Sequence, residues 1–301
     1  MEYLHNNKEL FSDILEACYT DTGISRAIIE KDYYVTLLLQ KIVEKCPEII
    51  FKGGTSISKC HKVISRFSED LDLGLNIDKA TQGMRRDLKY QIIEAIKELN
   101  FELDNEEHIY SRTYFNRYQI KYPLLEKTMS LKPYLYVETA LFLKPFPYEI
   151  KDADSYIYRF LKKRNLHDLI DKYQLHPFQV KVQTLERTFI DKLFALGDYY
   201  LSDKITGHSR HLYDLYKLYD YINFNVDFYT LFDDVREVRA NDSECLSAKP
   251  DQNLKSLLKK IYDTDYFKKD YEEITNELLF EKVSYPTVKE NLSKIISKLK
   301  D

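Results

Sequence analysis

The stretch EIIFKGGTSISKCHKVISRFSEDLDLGL, residues 48–75, changes its hydrophobic rhythm twice. An apolar run, EIIF, stops at the adjacent glycines Gly53 and Gly54; SISKCHKVISRF then fits one short helix; LDLGLNI alternates as a half-buried strand does. Strand, two residues without a Cβ, helix and strand again within so short a span make this half of the chain mixed α/β.

The flanks extend that reading. NKELFSDILEACYTDTG carries apolar residues at helical spacing and ends at Gly23, and SRAIIEKDYYVTLLLQKIVEKC resumes after Ser25, an N-cap residue type. Residues 79–99 are again helical in pattern. FELDNEE, YSRTYFNRYQIKY and KPYLYVETALFL are rich in the β-branched and aromatic residues that suit strands. Pro145, Pro147 and Pro177 punctuate a weakly patterned region in which only SYIYRFLKKRN suggests a helix, and beyond Pro177 the strand signals stop. TLERTFIDKLFALGDYYL, HSRHLYDLYKLYDYI, VDFYTLFDDVREVRA, LKSLLKKIYD, DYEEITNELLF and TVKENLSKIISKLK all read as helices. The expectation is an α/β domain with N-terminal helices over residues 1–180 and an all-helical C-terminal domain over 181–301, the boundary falling near 175–183.

Composition excludes several classes. A chain of 301 residues holds one large or two modest cores. No apolar run approaches the roughly 20 residues that span a bilayer, and MEYLHNNKEL lacks the shape of a signal peptide, so a soluble, intracellular protein is expected. Cys18, Cys46, Cys60 and Cys245 form no CxxC pair and have no histidine at ligand spacing, which argues against a zinc site or a disulfide framework. A net charge of −4 excludes a polycation that coats nucleic acid, so any nucleotide or RNA must meet a local patch. The 26 tyrosines, with no tryptophan, offer rings for base stacking, although abundant Lys, Ile and Asn point to coding bias as their source.

Asp70 and Asp72 stand two apart in a predicted strand, so their carboxylates leave one face while Leu71, Leu73 and Leu75 leave the other. Two such carboxylates repel unless a cation separates them, and Mg²⁺ suits a DxD pair that faces a nucleoside triphosphate. Acid alternating with leucine also describes an ordinary half-exposed strand. Gly53 and Gly54 let backbone N–H groups converge on an anion; Thr55, Ser56 and Ser58 add hydroxyls and Lys59 adds charge. A tight turn capped by Thr55 or Ser56 is the alternative there, and the P-loop pattern is absent.

Strand, Gly-Gly, hydroxyl, helix and DxD in this order resemble the DNA polymerase β-like nucleotidyltransferase superfamily. More narrowly, FKGGTSISK, RFSEDLDL, IIEKDYYVTLLL, ERTFIDKLFAL and RHLYDLYKL resemble the AbiEii/AbiGii toxin family of bacterial abortive-infection and toxin-antitoxin systems, over residues 28–218. Thirteen residues separate Ser56 from Asp70, the long end of the superfamily's spacing. The resemblance implies that Gly54, Thr55 and Ser56 cradle the triphosphate, that Asp70 and Asp72 hold metal, and that Lys192 and Asp214 match two downstream essential positions. Ser68 matches a serine of the family motif, and Glu138 is the best placed third carboxylate.

The residues themselves place Lys192 mid-helix and Asp214 in the next helix beyond Gly207, so a helical hairpin brings them to similar heights, either as part of a site or as a salt bridge between surface helices. Arg66, Arg187 and Arg210 are phosphate or RNA contacts or plain surface charge. His208 and His211 flank Arg210, as a proton acceptor or as capping and packing residues.

The expected activity is transfer of a nucleotide from an NTP, with two Mg²⁺ ions, to an RNA end such as that of a tRNA, in a cleft between the domains, Glu138 or Asp214 accepting the proton. A cognate antitoxin is an expected partner. A kinase-like use of the same site, a non-catalytic nucleotide-binding module and a pure interaction protein are the rivals.

Overall fold

The computed structural model describes residues 2–125 and 131–300. The chain forms two compact units: residues 1–60 with 68–182, and residues 61–67 with 183–301.

In the first unit, α1 (Lys8–Thr22) opens on the Asn7 cap and closes on Gly23, whose φ of 71° is the left-handed geometry that glycine adopts without strain. Helix α2 (Arg26–Lys45) starts at Ser25, whose side chain accepts from the Ile28 N–H. β1 (Ile49–Lys52) runs into α3 (Gly53–Ser56), which continues as a π-helical turn over Ile57–His61. The expected single helix over 56–67 is therefore wrong in its second half. Lys62 turns with φ 60°, and residues 61–67 join the second unit, where Arg66 bridges Leu279. That excursion accounts for the long spacing between Ser56 and Asp70.

β2 (Leu71–Leu75), α4 (Gln82–Glu98), β3 (Glu102–Leu103), β4 (Phe115–Lys121), β5 (Leu135–Ala140) and β6 (Tyr148–Ala153) follow, then the short α5 (Tyr156–Lys163) and α6 (His167–Lys172) and β7 (Phe178–Gln183). Seven strands make one mixed sheet in the order β3-β4-β5-β2-β1-β7-β6. β7 corrects the expectation that strands end at Pro177. Its sequence FQVKVQ alternates, Val180 and Val182 are buried, and it pairs parallel with β1 as the sheet's penultimate strand. β6 and α6 also lie in the stretch whose pattern was too weak to show them.

Burial alternates along β4, with Asn116, Tyr118 and Ile120 inward and Phe115 and Arg117 outward. The inward face joins a core that includes Phe11, Tyr34 and Leu38 of the first two helices and Ile92 and Ile96 of α4. The other face of β1, β2, β4 and β5 carries the polar residues discussed below.

The second unit contains α7 (Leu185–Leu201), α8 (Arg210–Leu218), α9 (Val226–Ala240), α10 (Leu254–Asp263), the short turns α11 (Lys268–Asp270) and α12 (Asn276–Leu278), and α13 (Tyr285–Lys298). Its core packs Phe189, Leu193, Leu212, Leu258 and Ile295. The start of α8 is tied down by Asp270, which accepts from Gly207 N at 2.7 Å and Ser209 N at 3.1 Å. A mixed α/β sheet unit with N-terminal helices and C-terminal helices is the architecture expected from the sequence.

Candidate active site

In the first unit, one row crosses four strands: Lys52 of β1 stands opposite Asp72 of β2, Asp72 beside Glu138 of β5, and Glu138 opposite Arg117 of β4. Cross-strand partners project from the same face, so this row places two adjacent carboxylates between two cations on the open side of the sheet. Asp70 precedes β2 by one residue, two before Asp72.

Gly53 has φ 77°, and a Cβ placed on it would lie 2.0 Å from Asp72 Oδ2. The carboxylate therefore occupies the space that any side chain at 53 would take, directly against the turn where β1 becomes helix. Gly53, and not Gly54, is the glycine in the left-handed region. The hydroxyls behind the turn are used internally: Ser56 Oγ donates to Gly53 O at 2.9 Å, Ser58 Oγ to Thr55 O at 3.0 Å and Thr55 Oγ1 to Ser68 Oγ at 2.9 Å. The last bond fastens the helix start to the segment that leads into Asp70.

Lys59 is corrected outright as a nucleotide contact. It is 2% exposed, and its Nζ donates to Asp32 Oδ1 and Thr36 Oγ1 at 2.5 Å each. Asp32 is one of three consecutive charged residues of α2 that are all buried. Glu30 Oε1 accepts from Leu125 N at 2.6 Å, Lys31 pairs with Glu69 and donates to Lys132 O at 2.6 Å, and Asp32 Oδ2 accepts from Tyr156 N at 2.8 Å. This brace holds the turn after Gly-Gly and the residue before Asp70. Burial pushes the Glu69 carboxyl up, and Lys31 opposes it. The sequence signal for the brace was EKD inside an otherwise apolar helix.

Glu138 is not gathered with Asp70 and Asp72 into a three-carboxylate set, because Arg117 Nε donates to its Oε1 at 2.6 Å. Among the described residues no group of three or more His, Cys, Asp or Glu side chains is arranged to hold a metal ion. Two carboxylates beside a backbone turn nevertheless match the donor set of Mg²⁺, which takes one or two from protein and the rest from substrate phosphates and water.

In the second unit Asp214 is fully buried and held by two cations. Arg66 donates through Nε and Nη2 at 2.6 and 2.7 Å, and Lys192 Nζ through 2.5 Å to Oδ2. Burial alone would raise the Asp214 carboxyl, but Arg66 and Lys192 outweigh it and hold it well below the ordinary range. Burial lowers Lys192, and Asp214 opposes that shift. An acid so held is a poor proton acceptor, which corrects that part of the expectation for Asp214. Lys192 and Asp214 are thus brought together, not as a surface pair but in the interior with Arg66.

Arg66, 1% exposed, and Arg187, whose Nε donates to Asp191 at 3.1 Å, are both buried and corrected as phosphate contacts. The rings of His208 and Tyr199 stack at 3.6 Å, and His211 Nδ1 lies 3.4 Å from Lys192 Nζ. Burial, Lys192 and Arg210 hold His211 well below its ordinary value, so its ring is neutral.

The sheet, the Gly-Gly turn into a helix and the following DxD strand are those of a nucleotidyltransferase-type fold. The family model described as Nucleotidyl transferase AbiEii toxin, Type IV TA system, matches residues 37–294, most of the chain, and the protein belongs to that family. No curated protein sequence matches it. No helix among the described residues is long and apolar enough to cross a membrane.

Proposed function

We propose that this toxin-family chain transfers a nucleoside monophosphate from an NTP to an acceptor hydroxyl at an RNA end, the hydroxyl oxygen bonding to the α-phosphorus as pyrophosphate leaves, a tRNA being the form that the family resemblance suggests. The observation that carries the reading is the Asp72 carboxylate packed on Gly53, with Asp70 beside it and backbone amides at the start of the helical run that follows. Asp70 and Asp72 would hold Mg²⁺, which supplies charge neutralisation of the phosphates and a more acidic acceptor hydroxyl.

The chain's own contribution is placement. Gly53 permits the turn and the close carboxylate, Thr55 and Ser68 lock the helix start to the DxD segment, and the α2 brace fixes both from behind. Glu138, on the same sheet face and already hydrogen-bonded to Arg117, is the acceptor for the hydroxyl proton within reach of that face. A cognate antitoxin is the partner proposed to restrain the activity.

Incubation with total bacterial RNA and triphosphates labelled at the α or the γ phosphate tests the reading. Label from the α position is expected on RNA; label from γ alone would establish the kinase-like alternative. Asp70→Asn and Asp72→Asn should each lower transfer by orders of magnitude while melting normally, and unchanged transfer in both would overturn the assignment.

A further inference from the structure

The outward face of β4 and β5 carries a ring on either side of the charged row: Phe115 stands opposite Ala140 on one side of the Arg117–Glu138 pair, and Tyr136 stands opposite Gln119 on the other. Phe115 and Arg117 of β4 and Tyr136 of β5 project on the face that bears Glu138 and Asp72, as the pairings Arg117 with Glu138 and Gln119 with Tyr136 require. Phe115, the first residue of β4, is 46% exposed. The Arg117 guanidinium lies 5.7 Å from the Tyr136 ring centroid and Lys132 Nζ 5.2 Å from it.

A phenylalanine ring left in water and a tyrosine ring with two cations beside it, on one sheet face with the charged row between them, fit one class of partner. Bases stack on rings whatever their identity, and phosphates take the cations. A protein surface would leave Arg117 and Lys132 facing apolar area, and a duplex hides its base faces. Resting on the transfer reading above, we infer that this face binds a single-stranded polynucleotide, its bases against Phe115 and Tyr136 and its backbone on Lys132 and Arg117, and so delivers the acceptor end toward Asp72. Acceptor recognition then depends on unpaired bases rather than on a helix groove.

The test measures equilibrium binding of fluorescent 12-nucleotide RNA and DNA single strands, and of the same strands as duplexes, by anisotropy without triphosphate or metal. Single strands of either sugar should bind and duplexes should bind far more weakly. Phe115→Ala and Tyr136→Ala should each weaken single-strand binding by roughly five- to a hundredfold, the range of one base-to-ring stack. Tyr136→Phe should retain wild-type binding, because its hydroxyl only reaches Gln119 Oε1 at 3.5 Å. Lys132→Ala should reduce the salt dependence of binding by about one phosphate contact.

Single-strand affinity unchanged in both alanine variants, a preference for duplex, or no binding by any strand overturns the inference. The transfer reading fails separately. Label transfer with indifferent alanine variants removes the platform alone, whereas ring-dependent binding with no transfer removes the assigned chemistry of the carboxylates alone.

Discussion

Gly53 concentrates two constraints in one residue: a left-handed φ of 77° and a carboxylate 2.0 Å from where a Cβ would stand. Gly53→Ala should cost about 1–2 kcal/mol from the backbone alone and in addition displace Asp72. Transfer should then fall far more than stability, and Gly54→Ala, outside the left-handed region, should be milder in both assays. Equal loss in the two variants would show that the turn, and not the Asp72 contact, is what matters. The paired glycines were legible as a turn, but which of the two faces the carboxylate depends on the β1–β2 register and not on local sequence. His5 provides a second residue-scale test. Burial lowers it to about 4, and Nδ1 lies 2.9 Å from Tyr33 OH. An imidazole that is neutral when folded and protonated below 6.5 when unfolded makes the unfolded state bind more protons, so stability falls as pH drops from 6.5 toward 4. The loss should approach about 2 kcal/mol after discounting for the ring's partial exposure. His5→Asn should flatten that part of a melting-temperature profile, and a profile identical to wild type would rule His5 out as its source.

Helix α2 shows where pattern stops being informative. Its period was readable, but the period says nothing of where its three adjacent charges, Glu30, Lys31 and Asp32, lie. All three are buried, because other elements pack around α2 on several sides and the partners come from up to 124 residues away. No spacing rule reaches so far, and the same limit hid Lys59, whose proximity to Gly-Gly suggested a phosphate contact. β7 was missed for a different reason: its alternation is short and abuts both Pro177 and a strong helix, so the local signal was absorbed by the boundary. The strands β4 and β5, longer and more aromatic, were visible, and with them the outward aromatic residues, though not the row they share. The brace itself is testable. Asp32→Asn leaves the Lys59 charge buried without its counter-ion and should cost about 3–5 kcal/mol. Asp32→Asn combined with Lys59→Met removes the stranded charge and should recover much of that loss. Failure of the double variant to recover would mean that Asp32 acts mainly through the Tyr156 N–H.

At the scale of the whole molecule, growth arrest reports folding and chemistry at once, and the Arg66–Asp214–Lys192 cluster is where they must be separated. Removing a buried acid that serves two cations differs from removing one of its two cations. Lys192→Ala leaves Asp214 bound bidentately by Arg66, so the second unit keeps a neutral pair and should fold. Asp214→Ala strands Arg66 and Lys192 together in the interior and should cost at least the roughly 3–5 kcal/mol of a broken buried pair, enough to lose much of the soluble protein. Loss of toxicity by Asp214→Ala is therefore uninformative about chemistry, whereas loss by Lys192→Ala is not. A triple variant sharpens the comparison. Arg66→Met, Lys192→Met and Asp214→Leu replace the cluster with apolar groups of similar bulk, a change that is often neutral or stabilising when all charges go together. Wild-type chain expressed in bacteria without an antitoxin should arrest growth, while Lys192→Ala and the triple variant should be soluble, melt near wild type and permit growth. If either soluble variant still arrests growth, the cluster is only a structural ion network and Lys192 has no part in the transfer.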